Sequence, residues 1–293
     1  MILEYQQPLY RPPSEANNLI IQATLGCSFN QCSFCSMYRS KNYVARPVKD
    51  TIHDIKLAAR QWPEAHRVFL ADGDALTLAT DHLLEILRAL QQALPRLTRV
   101  SCYATPANIL RKTESELKQL REHKLNLLYL GIESGNNTIL KKITKGASQK
   151  GLAEALTKAD RCDMKVSATV ILGLAGQSLW QDHIDGTIEL LNQAPVSYLS
   201  TLQLYLEPQQ QPEFLEKFGT EFTAANDRQI LEELARLVAG IEPPKAVIFR
   251  SNHASNALAL AGNLPKDKDR LLLQIQQAQS GNRPLRPDYL RSL

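Results

Sequence analysis

Between Leu19 and Val238, short apolar runs alternate with stretches of helical spacing, about six strand–helix units in succession. The apolar runs are Leu19–Leu25, Arg67–Ala71, Arg99–Ala104, Asn126–Ile132, Lys165–Leu172 and Tyr198–Leu204. They are short and rich in Val, Ile, Leu or Tyr, the pattern of strands buried on both faces. Helical stripes lie between them: Ile52, Ile55, Ala59 and Trp62; then Leu83, Leu84, Leu87 and Leu90; then Leu117 and Leu120. Further on come Ile184, Ile188 and Leu191, and Ile230, Leu231, Leu234, Leu237 and Val238. Thr51–Asp54 and Thr113–Glu116 both read as capping boxes that open helices. Each stripe reads as a core contact. Such units predict a parallel sheet with helices outside, an α/β fold, either closed or partly closed as a barrel or open and doubly wound.

The 1–18 segment is polar and Pro-rich and reads as an extended lead-in. After Gly240 the alternation breaks at Pro243-Pro244. A short strand over Ala246–Arg250, a polar loop and a helix near Lys266–Gln277 are expected there. An apolar content of 44% supports a real core, and a net charge of +4 permits an acidic partner without arguing for one. Met1–Pro8 has no basic region followed by an apolar one, and no apolar run is long enough to span a bilayer. No membrane partner and a cytoplasmic location are therefore expected.

Three of the five cysteines, Cys27, Cys32 and Cys35, form a C-x4-C-x2-C loop directly after the first apolar run. A structural zinc site wants four protein ligands. The nearest later candidate is His53, and Cys102 and Cys162 stand alone. Three thiolates suit a cubane iron–sulfur cluster with one iron left open. A Cys-rich turn, or a zinc knuckle completed from a distance, is the plainer reading. Cys102 and Cys162 read as small buried hydrophobes.

Active sites of barrels gather at the C-terminal ends of strands. The first end carries the cysteines, the second Asp72-Gly73-Asp74, the fourth Gly131-Ile132-Glu133-Ser134-Gly135 and the fifth Gly173-Leu174-Ala175-Gly176. Glycines let a ligand approach the backbone, and acids supply charged acceptors. Asp74 also reads as a turn residue or as the cap of a helix starting near Thr80, and Glu133 as a solvated loop acid. Lys141, Lys142, Lys145 and Lys150 read as a solvated face.

With Phe34 directly before the last cysteine and these strand-end motifs in order, the sequence resembles the radical SAM superfamily from about Leu19 to Leu206. It is most similar to the branch of oxygen-independent coproporphyrinogen oxidases, methylthiotransferases and the Elongator catalytic subunit. The resemblance implies a partial (β/α)6 TIM-like barrel over residues 19–240, closed by a C-terminal strand and helix extension over 241–293. It implies a [4Fe–4S] cluster on Cys27, Cys32 and Cys35, and S-adenosylmethionine (SAM). Gly73 and Asp74 match the positions that hold the SAM ammonium. Glu133 matches a polar contact to the ribose or methionine part, and Phe34, Ile171 and Gly173 match positions around the adenine. Asp72-Gly73-Asp74 departs from the family's Gly-Gly-Glu, and Gln177 stands where many relatives have Glu. An electron donor such as flavodoxin or ferredoxin is implied as a partner.

The activity that this resemblance implies is that of a radical SAM enzyme. Such an enzyme cleaves SAM to a 5′-deoxyadenosyl radical and takes hydrogen from a small organic substrate, here expected to be cofactor- or tetrapyrrole-like. A tRNA base is the alternative substrate. From another class, the alternative is a non-catalytic iron–sulfur protein for electron transfer or sensing. Arg250, Asn252 and His253, at the end of the expected last strand, are the candidate catalytic residues on the substrate side. A structural loop is the other reading of that segment.

Overall fold

A computed structural model describes residues 3–219 and 222–291. Its strands are β1 (Leu19–Gln22), β2 (Thr24–Leu25), β3 (Val44–Ala45), β4 (Arg67–Ala71) and β5 (Arg99–Tyr103), then β6 (Leu125–Glu133), β7 (Lys165–Leu172), β8 (Tyr198–Gln203), β9 (Val247–Ser251) and β10 (Leu260–Leu264). Eight of them make one sheet in the order β1-β4-β5-β6-β7-β8-β9-β10, while β2 and β3 pair separately. The sheet is mostly parallel, with β10 antiparallel to β9. The order ends at β1 and β10, so among the described residues the sheet does not close on itself. All six expected strands are present, though the first breaks at Ala23 into β1 and β2, which belong to different sheets.

The chain forms two compact units. The first comprises Met1–Asn30, Met37–Leu130 and Lys158–Val166. Val68, Leu70, Val100, Cys102 and Leu128 alternate along β4, β5 and β6 onto one buried face. The helix Thr80–Ala93 buries Leu83, Ile86, Leu87 and Leu90, as its stripe predicts. On the other face Phe69, Tyr103 and Tyr129 meet edge to face. The lead-in is more than an extended arm, because Glu15 is wholly buried there. Its Oε1 accepts from Tyr129 (2.6 Å), Arg99 (2.8 Å) and Ser101 (2.9 Å). Thr113 and Glu116 do form a capping box. Thr51–Asp54 does not: that helix starts earlier, at Val48, where Pro47 breaks the preceding chain, and Trp62 is 49% exposed rather than in the core.

The second unit comprises Gln31–Ser36, Gly131–Thr157 and Ser167–Leu293. Here β7, β8 and β9 align with Thr169 beside Ser200 and Ser200 beside Arg250. Alternation puts Ala168, Val170, Leu199, Thr201, Val247 and Phe249 on one face, all at or near zero exposure. Thr169, Ser200 and Ile248 on the other face are partly exposed, and Arg250 is exposed. Strand β10 lies in what the sequence suggests is a polar loop, and the helix Gln211–Phe218 lies outside the apolar stripes that mark the other helices in the sequence. No helix among the described residues is long and apolar enough to cross a membrane.

Candidate cluster and cofactor site

In the first unit the end of β4 holds the cysteine loop at three successive residues. Asp72 is fully buried. Its Oδ2 accepts from the Gly26 amide (3.0 Å) and from Lys41 Nζ (2.8 Å), and its Oδ1 from Gln22 Nε2 (3.2 Å). Gly73 donates its amide to the Gly26 carbonyl at 3.0 Å. A Cβ on Gly73 would stand 2.7 Å from Cys27 Cβ and 2.8 Å from Cys27 Cα, so only glycine fits against the first cysteine. Asp74, also fully buried, accepts from the Ser28 amide at 2.8 Å and from the Ser28 hydroxyl. Burial pushes the Asp74 carboxyl up, against the pull of Ser28 and Asn108. It makes no side-chain cap; the helix that begins at Thr80 is preceded by Ala79. Asn30 then ties the loop to its exit by donating to the carbonyls of Tyr38 (2.9 Å) and Lys41 (3.3 Å).

In the second unit Cys32 and Cys35 are bracketed by a turn, Cys35 N–H to Cys32 O at 3.1 Å, and Ser33 donates to the Ile143 carbonyl at 3.0 Å. Phe34 packs on the apolar cluster that includes Ile139, Ile143, Ile171, Leu174 and Phe214. Glu133 is not a solvated loop acid. It is 7% exposed, and its Oε1 pairs with Lys145 Nζ at 2.9 Å. A Cβ on Gly131 would lie 1.8 Å from that oxygen, so the glycine makes room for the pair. Lys145 is correspondingly not part of a solvated face. Burial works against its ammonium, but the Glu133 carboxylate and the Cys32 and Cys35 sulfurs outweigh it and hold its pKa above the usual lysine value.

Two buried groups behind the strand ends complete this half. His183 faces the Ile171 carbonyl with Nε2 (3.0 Å) and Ser134 Oγ with Nδ1 (2.8 Å). A carbonyl only accepts, so Nε2 carries the hydrogen and Nδ1 accepts from Ser134. Burial lowers the His183 pKa to about 4, which keeps the ring neutral at pH 7. Gly173, at φ +77°, donates its amide to Glu233 Oε2 at 2.7 Å. Glu233 is fully buried, its Oε1 has no partner among the described residues, and burial raises its pKa to about 8.

The substrate-side trio makes separate local contacts. Arg250 is exposed on β9, and its Nη1 donates to Phe249 O (2.7 Å). Asn252 is exposed. His253 is half-buried against Ser255, with its pKa lowered first by burial and then by Arg286. Arg286 Nη1 donates to the carbonyls of Ala254 (2.7 Å) and His253 (2.9 Å), which pins the loop from the C-terminal tail. The buried amide of this segment is Asn256, which accepts from Gln203 N (2.7 Å) and donates to Thr201 O (2.7 Å).

The sequence profile of the Radical SAM superfamily matches residues 21–191, more than half of the chain and the whole of the cysteine loop. The chain belongs to the Radical SAM superfamily. Among curated relatives, the heme chaperone HemW of Bacillus subtilis is 22% identical over 185 residues, 60% of this chain and 48% of the relative. A putative methylthiotransferase of Methanocaldococcus jannaschii is 24% identical over 164 residues, 53% of this chain and 35% of the relative. The chain thus spans half or less of the length of these relatives. Among solved structures, the coproporphyrinogen III oxidase HemN of Escherichia coli, a radical SAM enzyme, superposes with a TM-score of 0.58 at 15% identity, covering 76% of this chain and 51% of that one. That likeness bears out the partial barrel.

This superfamily uses a [4Fe–4S] cluster and SAM. The donor set fits such a cluster: three partly exposed cysteines, none in a disulfide, two of which act electrostatically on the Lys145 ammonium. Among the described residues no three His, Cys, Asp or Glu side chains converge on a single ion. A cubane does not require convergence, because each thiolate takes a different iron. Sequence reasoning missed Lys41, His183 and Glu233, placed Lys145 on a solvated face, and named Asp72 only as part of its strand-end motif. Glu233 did carry a signal, since it falls within the apolar stripe that runs from Ile230 to Leu237.

Proposed function

We propose that this chain is an enzyme that cleaves SAM reductively and abstracts hydrogen from a small organic substrate. When bound, the cluster and SAM supply the 5′-deoxyadenosyl radical for that step. Cys27, Cys32 and Cys35 hold the cluster. Asp72, Gly73 and Asp74 keep the loop that carries Cys27 in a ligating shape. Gly73, Asp74 and Glu133 would hold the polar part of SAM, and Phe34, Ile171 and Gly173 would line the adenine side. The apolar cluster under Phe34 and Ile171 keeps water from that side. A flavodoxin- or ferredoxin-type donor supplies the electron, and the cytoplasm is the compartment.

The observation that carries this reading is the grip of the β4 end on the cysteine loop through Gly26, Cys27 and Ser28. An electron carrier ordinarily fills all four iron positions with protein ligands, and this loop supplies three cysteines. Anaerobic reconstitution, reduction with SAM present and chromatography test the reading. Release of 5′-deoxyadenosine is expected. A fully loaded protein that leaves SAM intact under reduction, with and without a donor protein, rejects it.

A further inference from the structure

A parallel sheet ordinarily buries both faces. In the second unit one face is covered, and the other carries partly exposed Thr169 and Ser200 and exposed Arg250, in register across β7, β8 and β9. Two residues further along β7 and β8 the same face carries Ile171 and Leu202, also in register. The row therefore runs out from the residue proposed beside the adenine. Arg250 is the one cation on this face of β8, β9 and β10, whose other residues are Tyr198, Ser200, Leu202, Ile248, Ala261 and Asn263. Its Nη1 is anchored on the Phe249 and Gly262 carbonyls at 2.7 and 3.4 Å. Its Nε and Nη2 have no partner, and no carboxylate pairs with it, among the described residues.

We propose that Thr169, Ser200 and Arg250 bind an oxyanion of the substrate, a carboxylate or a phosphate, so that the substrate is an anionic small molecule. The proposal rests on the enzymatic reading above. An anchored guanidinium presents its remaining N–H groups as a planar fork that matches two oxygens, and such charge-assisted bonds are the strong ones. Flanking hydroxyls adapt as donors to the same group. A nucleic acid backbone would ask for several cations along its track, and this row offers one.

The test uses the reconstituted protein and a guanidinium reagent, phenylglyoxal, with the modified arginines mapped by mass spectrometry. Labelling is compared in chloride, inorganic phosphate and succinate at matched ionic strength, with exposed Arg88 as the internal control. Several-fold slower labelling of Arg250, with Arg88 unchanged, is expected. Protection by phosphate alone assigns a phosphorylated substrate, and by succinate alone a carboxylate one. Ser200→Ala should weaken the protection. Arg250 labelled as fast as Arg88 in both anions overturns the proposal, as does protection that Ser200→Ala leaves untouched. A protein that forms 5′-deoxyadenosine normally yet shows no protection loses only this proposal. One that protects Arg250 yet never cleaves SAM loses the enzymatic reading instead.

Discussion

Lys41 and Asp72, 31 residues apart in sequence, form an ion pair of 2.8 Å whose side chains are 1% and 0% exposed. Desolvating two charges offsets most of what their attraction returns, so the pair is a poor source of stability in itself. Its effect is positional, because the same Asp72 oxygen receives the Gly26 amide that begins the cysteine loop. Removing one partner leaves the other buried and uncompensated. Lys41→Met is expected to cost about 3–5 kcal/mol. Urea unfolding of the wild type and the variant measures it, and an unchanged midpoint contradicts it.

Gly73→Ala should act through the first cysteine. The added carbon would press on Cys27 Cβ at 2.7 Å, and backbone must shift to admit it. Iron and sulfide content after reconstitution should fall well below wild type. Gly151→Ala is the matched control: it lies in the helix Gln149–Arg161, and its Cβ would meet only Ser148 Oγ at 3.4 Å. That variant should keep the cluster and gain up to about 1 kcal/mol from helix propensity. Equal iron content in the two variants would contradict the close-contact argument.

Asp74→Asn separates two roles. A SAM acceptor made neutral should lose roughly 10- to 100-fold in SAM affinity, with cluster content unchanged. An anchor for Ser28 should instead lose cluster retention, and Ser28→Ala should do the same. The two bonds to Ser28 are the observation behind the second role. Iron content and SAM binding per loaded cluster, measured on both variants, decide between them.

The cysteine set is tested by replacement. Cys27→Ala, Cys32→Ala and Cys35→Ala should each abolish cluster absorbance and SAM cleavage, while Cys102→Ala and Cys162→Ala keep both. Loss of the cluster in the Cys102 variant would show the ligand set to be wrong.

Glu233 makes stability depend on pH. Its folded pKa is raised to about 8 from 4.5, so the native state retains a proton that the unfolded chain gives up across that interval. The stabilisation is complete below the unfolded value and is lost as pH rises toward the folded one, at about 1.4 kcal/mol per pH unit. Glu233→Gln is neutral throughout and keeps an acceptor for the Gly173 amide. The difference between urea midpoints at about pH 5 and about pH 7.5 should therefore shrink in the variant. Parallel pH profiles would contradict the assignment.

Strands, cysteine loop and strand-end motifs were legible because each is a local pattern along the chain. What the side chains touch was not. Asp72 reads only as one acid of a strand-end motif until Lys41, whose position no spacing rule predicts, is brought to it by the fold. Lys145 sits among other lysines in sequence, and its buried ion pair with Glu133 sets it apart from a solvated lysine. Asn252 and Asn256 look alike in sequence, yet only Asn256 turns inward, where the Thr201 carbonyl and Gln203 amide need partners. His183 and Glu233 lie on buried helix faces, where a polar residue implies a specific partner but does not name it.

Burial divides the five thiols into two chemical populations. Cys102 is wholly buried, with its thiol pushed up to about 12, and Cys162 is 2% exposed and also raised by burial. Neither presents a thiolate at neutral pH, whereas the three loop cysteines are partly exposed. A thiol reagent applied to the folded chain therefore reads the loop alone. Each equivalent it consumes marks one ligand position that a cluster does not hold, which makes the unmutated protein its own gauge of cofactor loading.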